Sequence, residues 1–227
     1  DHVTARRYER RVGGSVPNTS KAVVGVSRHN LHSGGRNSRV PIRCEALTLL
    51  GKDEDGDFVL AELERAGVGT RYVQCTSEAP TQVAFLPVYD ETGERACIVV
   101  PGATAFLDKD ALLGEVGIGC KRADMLRELL WCNLGYPYEI DRLQGKRLER
   151  CVREMHAELG LAVAVDLNGA AASKYIGVTD AIGEEGRPFE VVRGALKYIA
   201  FVHANYAEAV AVACKGSEGQ CTFRGSD

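Results

Sequence analysis

Four places in the sequence put chemistry-bearing side chains at useful spacings. In "RVGGSVPNTSKAVVGV", Arg11 to Val26, the pair Gly13 and Gly14 stands just ahead of Asn18. Adjacent glycines permit a positive-φ turn and close backbone approach to a ligand. The Asn18 side chain offers both a donor and an acceptor, matched to a hydroxyl. The same residues also read as an ordinary turn with an Asn cap on a short helix. A phosphate loop is excluded, because no Gly-Lys follows at Walker spacing and G-x-G-x-x-G is absent. Farther on, Asp166 and Asn168 end one apolar run, while Asn205 and Glu208 stand three apart after another. A carboxylate so placed can act through water on a magnesium ion; Asn205 with Glu208 also reads as a capping box.

Other clusters carry less. "DEDGDFVLAELE" alternates Asp53, Asp55 and Asp57 like a calcium loop, but the required sixth-position glycine is Phe58. His29 and His32 lack a third ligand nearby and read as a solvated pair. His203, near the end of an apolar run, reads as a packed residue rather than a base.

The elements that must position these groups follow from periodicity. "EALTLLG", Glu45–Gly51, predicts a buried strand. The stretch after it puts Val59, Leu60, Leu63 and Ala66 on one helical face, with Gly67 placed to stop the helix and acidic residues at its start. "TQVAFLPVYD" and "ERACIVVPG", joined by "ETG", predict a hairpin, with Pro87 at an edge. "LLWCNLG", "LAVAVDLN" and "KYIAFVHAN" predict three strands, alternating with helices at "RLQGKRLERCVREMHAELG", "PFEVVRGAL" and "YAEAVAVACKG". Such alternation predicts a parallel sheet flanked by helices. Ligands collect at the carboxyl ends of its strands, which draws attention to Gly135, Asp166, Asn168, Asn205 and Glu208.

Composition narrows the class. A net charge of −3 supplies no field for nucleic acid, and no apolar run approaches the roughly 20 residues of a membrane helix. The basic stretch "RHNLHSGGRNSR" is Gly/Ser-rich and predicts a solvated loop. None of the eight cysteines forms C-x-x-C and several sit in apolar runs, which predicts buried, reduced thiols in a cytoplasmic protein. Residue 1 is Asp and the tail "KGSEGQCTFRGSD" has no apolar period, so both ends read as cut.

Taken in order, these pieces resemble the ribokinase-like (PfkB) carbohydrate kinases from about Gly13 to Gly216. "GGSVPN" is similar to the family's GG-x-x-x-N element, and "LTLLGKDEDGDFVLAELERAGVGT" to its G-x-x-G-x-D-x-x-G stretch and following helix, with Lys52–Gly56 a shortened or altered version. "APTQVAFLPVYDETGERACIVVPGA" is similar to its lid strands, with Gln82 where the family has Gly. "LLWCNLGYP", "AVAVDLN" and "HANYAEA" match strand ends that carry a substrate-side residue, D-x-N and N-x-x-E. The resemblance implies one ribokinase-like α/β domain over 1–227, with a β lid at about 72–101 and the C-terminal part of the fold missing. It implies acceptor binding by Gly13, Gly14, Asn18 and Gly135, and magnesium and phosphate binding by Asp166, Asn168, Asn205 and Glu208, with no direct metal ligand. ATP would be the co-substrate and a sugar the acceptor, with a nucleoside as the alternative. A homodimer through the lid strands, or a non-catalytic sugar-binding or interaction module, is the remaining expectation. Two departures matter. No G-A-G-D follows N-x-x-E, so the general base and anion hole are not in this chain, and Ala170 stands where an Arg often lies after D-x-N. The 227 residues alone are therefore expected to be inactive.

Overall fold

The computed structural model describes residues 8–32, 42–89, 91–114, 126–137, 140–143, 146–166 and 195–204. The fold is mixed α/β, with parallel strands flanked by helices, and divides into two compact units, Asp1–Thr104 and Ala105–Asp227.

The first unit opens with helix α1, Ser15–His32. It is longer than the expected short helix, and it takes in the Arg28–His32 part of the stretch expected to be loop. Arg, His, Asn and Leu carry no helix-breaking chemistry, so the helix continues through them. Strand β1, Glu45–Gly51, occupies the predicted residues. Helix α2, Glu54–Ala66, starts at Asp53, whose extended backbone and side chain cap Gly56 N–H, and it stops at Gly67 in the left-handed region. There the Gly67 N–H donates to Glu64 O at 2.8 Å and the Val68 N–H to Leu63 O at 3.0 Å, which satisfies the last carbonyls.

Strand β2, Gly69–Thr76, then pairs parallel with β1 from Leu47↔Tyr72 to Gly51↔Thr76, completing a β–α–β unit. Residues 72–76 thus belong to this sheet and not to the expected lid range. Tyr72 is buried and Val73 packs into the core, which fixes the strand although its flanks are polar. Val24, Ala46, Leu63 and Val68 form the core beneath α1 and α2, joined by Val16, Val59, Ala66 and Val73. Each fully buried side chain of this size stabilises the fold by about 1.5–3 kcal/mol.

Strands β3, Val83–Phe85, and β4, Ile98–Val100, pair antiparallel, and a further bridge joins Val88 to Arg95. Pro87 contributes only its carbonyl, which accepts from Ala96 N–H at 3.1 Å, so its missing donor costs nothing.

The second unit begins, after the Asp108 cap, with α3, Lys109–Leu113. Strand β5, Trp131–Gly135, helix α4, Lys146–Ala157, and strand β6, Ala162–Asp166, form another parallel β–α–β unit. Strand β7, Ile199–His203, lies parallel on the far side of β6. Helix α4 buries Leu148, Cys151, Val152 and Met155, one apolar stripe at helical spacing. The Lys109 ammonium reaches Glu154 at 2.9 Å and ties α3 to α4. The helices predicted at "PFEVVRGAL" and "YAEAVAVACKG" lie outside the described residues, apart from Ala195 and Leu196 of the first, which are helical. Among the described residues, no helix is long and apolar enough to cross a membrane.

Candidate functional site

The glycine pair forms an open turn. Gly14 has φ +90°, a conformation that L side chains rarely adopt, and its carbonyl accepts from Asn18 N–H at 3.2 Å. Gly14 is therefore the cap of α1, and Asn18 sits inside the first turn, not at the cap expected of it. Pro17 is tolerated there because first-turn N–H groups have no intrahelical partner. A Cβ added to Gly13 or Gly14 would meet nothing within 4 Å, and both glycines and Asn18 are exposed. Just beneath, the Ser15 hydroxyl is buried without a hydrogen-bond partner.

Arg10 holds this turn against the start of α2. Its guanidinium pairs with Glu54 Oε1 at 3.1 Å and with Asp55, and lies over the Phe58 ring at 4.4 Å. The acidic start of α2, which fails as a calcium loop, thus serves as an anchor for the peptide ahead of Gly13.

Asp53 lies at the carboxyl end of β1 and ties three segments together. Thr81 N–H donates to its Oδ2 at 2.7 Å, Thr81 O–H to its Oδ1 at 2.7 Å, and Gly56 N–H to its Oδ1 at 2.8 Å. Thr81 Oγ1 accepts in turn from Gly51 N–H at 2.9 Å. The buried Thr81 is fully partnered by this relay. The Thr81 N–H, above all, holds the Asp53 carboxyl below its ordinary value of 3.8, and the Thr81 hydroxyl and Gly56 N–H act in the same sense. The close packing needs glycine: a Cβ on Gly51 would clash with Thr81 N and Asp53 Oδ2, and one on Gly102 with Pro80 O and Gln82 N. Gln82 accepts through Oε1 from the Thr104 hydroxyl at 3.2 Å.

In the second unit, the ends of three strands come level. Gly135 pairs with Asp166, and Asp166 with His203. His203 Nδ1 lies 3.0 Å from Asp166 Oδ1 and its ring is 72% exposed, so it is a solvent-facing partner of the carboxylate rather than the packed residue expected. Its place at the carboxyl end of β7 leaves the ring open to solvent. Next to Gly135, Tyr136 has φ +51°, an uncommon conformation for a residue with a side chain. Backbone strain of this kind concentrates at functional sites. The sequence gives no signal for it beyond the following Pro137.

Of the predicted site residues, the structure brings Gly135 and Asp166 together, and Gly13, Gly14 and Asn18 together within the first unit. Asn168, Asn205 and Glu208 lie outside the described residues. Among the described residues no group of three His, Cys, Asp or Glu side chains is placed to hold a metal ion. Asp166 contributes a single carboxylate, with one oxygen already engaged by His203. Asp53, Thr81, Tyr136 and the role of His203 were missed by sequence reasoning.

The thiols divide. Cys151 is buried, whereas Cys75 and Cys97 are exposed, so the expectation of buried thiols fails for those two. Cys75 lies on β2, and Cys97 lies just ahead of the exposed strand β4. Burial pushes the Cys132 thiol up to about 11 and Cys151 higher still, so neither serves as a nucleophile.

Comparison with known proteins places this geometry. No curated protein matches the sequence. Solved structures do match the fold. Adenosine kinase from Sinorhizobium meliloti is 20% identical with a TM-score of 0.61, over 90% of this chain and 52% of that one. Ribokinase from Giardia lamblia is 18% identical with a TM-score of 0.57, over 97% and 56%. Fructokinase with bound ATP from Xylella fastidiosa is 18% identical with a TM-score of 0.51, over 83% and 50%. The chain thus spans about half the length of these structures. The profile described as pfkB family carbohydrate kinase matches residues 1–127, more than half of the sequence. The chain belongs to the pfkB family of carbohydrate kinases.

Proposed function

We propose that the chain carries the acceptor-binding part of a cytoplasmic, ATP-dependent kinase that moves the γ-phosphoryl group to a sugar hydroxyl. The observation that carries this reading is the open Gly13–Gly14 turn at the start of α1, with Asn18 exposed on the first turn. Two residues without side chains let a sugar approach the backbone, and Asn18 both donates to and accepts from its hydroxyls. ATP is the phosphoryl donor, as the ATP-bound fructokinase supports. Asp166, Asn168, Asn205 and Glu208 arrange its phosphates and a hydrated magnesium ion.

Phosphoryl transfer depends on positioning and charge stabilisation. The chain holds no G-A-G-D to remove the acceptor proton, so these 227 residues alone transfer nothing. Coupled ADP release in the presence of magnesium-ATP and acceptor tests that, and turnover would overturn it. Titration calorimetry with ribose, fructose and adenosine tests the acceptor reading. One of them should bind, and Asn18→Ala should weaken it at least about tenfold, the loss of hydrogen bonds to a hydroxyl. Adenosine binding alone favours the nucleoside reading, which the adenosine kinase neighbour supports. If none binds, the turn is only a helix cap.

The hairpin of β3 and β4 is the lid in this reading. Phe85, Leu86, Val88, Ile98 and Val99 are all exposed on it. Apolar strands with open edges recruit a partner, and a second copy of the chain supplies the same surface. Light scattering should report a dimer that Ile98→Lys converts to monomer.

A further inference from the structure

We propose that Asp53 is a positioning residue for the hairpin: through Thr81 its carboxylate fixes the root from which β3 and β4 project. The functional consequence rests on the lid reading above; the mechanical claim does not.

The root is bonded from every side the structure describes. Thr81, two residues before β3, gives both its N–H and its O–H to Asp53, each at 2.7 Å, and accepts Gly51 N–H at 2.9 Å. The returning strand is held as well. Ala103 N–H donates to Pro80 O at 2.7 Å, and Thr104 O–H reaches Gln82 at 3.2 Å. Gly102 packs so closely on Pro80 and Gln82 that no side chain fits. Both legs of the hairpin are therefore fastened to one another and to the junction of β1 with α2.

Beyond this root the holding interactions thin out. The β3–β4 ladder pairs only three residues on each strand, and Ala84, Phe85, Ile98, Val99 and Val100 are exposed. A short exposed hairpin has little independent stability. Its direction is therefore set at its root and not along its length. Asp53 is the shared acceptor, because one carboxylate serves the α2 cap and the hairpin together. Any load on the hairpin is thus transmitted to the start of α2, where Arg10 also anchors the glycine turn.

Thr81→Val separates the two duties of Asp53. It removes the hydroxyl relay and leaves the Gly56 cap and the Thr81 backbone bond in place. Amide-resolved NMR on the ligand-free 227-residue chain reads the result. In the wild-type chain, Ala84, Phe85, Val99 and Val100 should show order parameters near the rigid value of about 0.85. Thr81→Val should drop them below about 0.6 and speed hydrogen exchange at Gly51 and Ala103 at least about tenfold. Gly56 and Asp57 in the cap of α2 should change less than about twofold, and Thr81→Ser should restore the wild-type pattern. The proposal is overturned if the Thr81→Val hairpin is as ordered as wild type. It is equally overturned if the wild-type hairpin is already mobile, or if protection falls to the same extent throughout β1 and α2. Because no sugar is present, failure of the acceptor reading leaves these outcomes unaffected. If an acceptor binds, Thr81→Val should weaken it and Thr81→Ser should not.

Discussion

The two units solve one problem in two ways. Each brings parallel strands to a common edge around a crossover helix, yet the edges differ. At the end of β1, Asp53, Thr81 and the closely packed glycines lock backbone to backbone. At the ends of β5, β6 and β7, the Asp166 carboxylate meets the exposed ring of His203. A bonded edge holds a fixed shape before any ligand arrives. An edge with solvent-facing side chains keeps its polar groups available to one.

Core deletions probe the contrast most strongly. Leu63→Ala in the first unit and Leu148→Ala in the second each remove a fully buried side chain and should cost about 2–5 kcal/mol by urea unfolding. Unit-resolved hydrogen exchange sharpens the result: if each variant loosens only its own unit, the two edges are built on separate cores. Uniform loosening would break the comparison.

Asp53→Ala comes next, at about 0.5–2 kcal/mol, the range for a helix cap. Its pH dependence carries the sign. The native carboxyl titrates below its ordinary 3.8, so its contribution is full above that value and is lost as pH falls through the lower native one. The stability gap between wild type and Asp53→Ala should therefore close in acid. A gap that persists there would mean that Asp53 acts by packing alone.

Asp166→Asn should change stability by only about 0.2–1 kcal/mol, as an exposed pair does. A larger loss would show the second edge to be locked as well. The smallest effect is chemical: a mild thiol reagent followed by peptide mass spectrometry should modify Cys75 and Cys97 and spare Cys132 and Cys151, with no change in folding.

The same contrast explains what the sequence could reveal. Strand β1, helix α2 with its Gly67 stop, and the β5–α4–β6 unit show apolar runs or helical stripes, which report burial directly. Strand β2 hid because Gly69, Thr70, Arg71, Gln74 and Thr76 are not apolar, and only the pairing with β1 explains it. The Asp53–Thr81 bond spans 28 positions and leaves no local pattern. "PTQ" and "KDEDG" were visible as family-like pieces, but nothing in either says that they meet. Gly13 and Gly14 were legible as a turn because glycine pairs have few other uses. The positive φ of Tyr136 was not, since Tyr is a residue that rarely adopts it and no Gly or Asn marks the position.

The grip of Arg10 on Glu54 and Asp55 makes ionic strength a dial on the molecule. That grip is electrostatic and open to solvent, and at about 0.15 M salt charges are screened over roughly 8 Å. Concentrated salt should slacken the leash on the glycine turn while the bonded strand end beneath it stays taut. Any sugar affinity of the proposed acceptor turn would then fade in brine well before the chain melts.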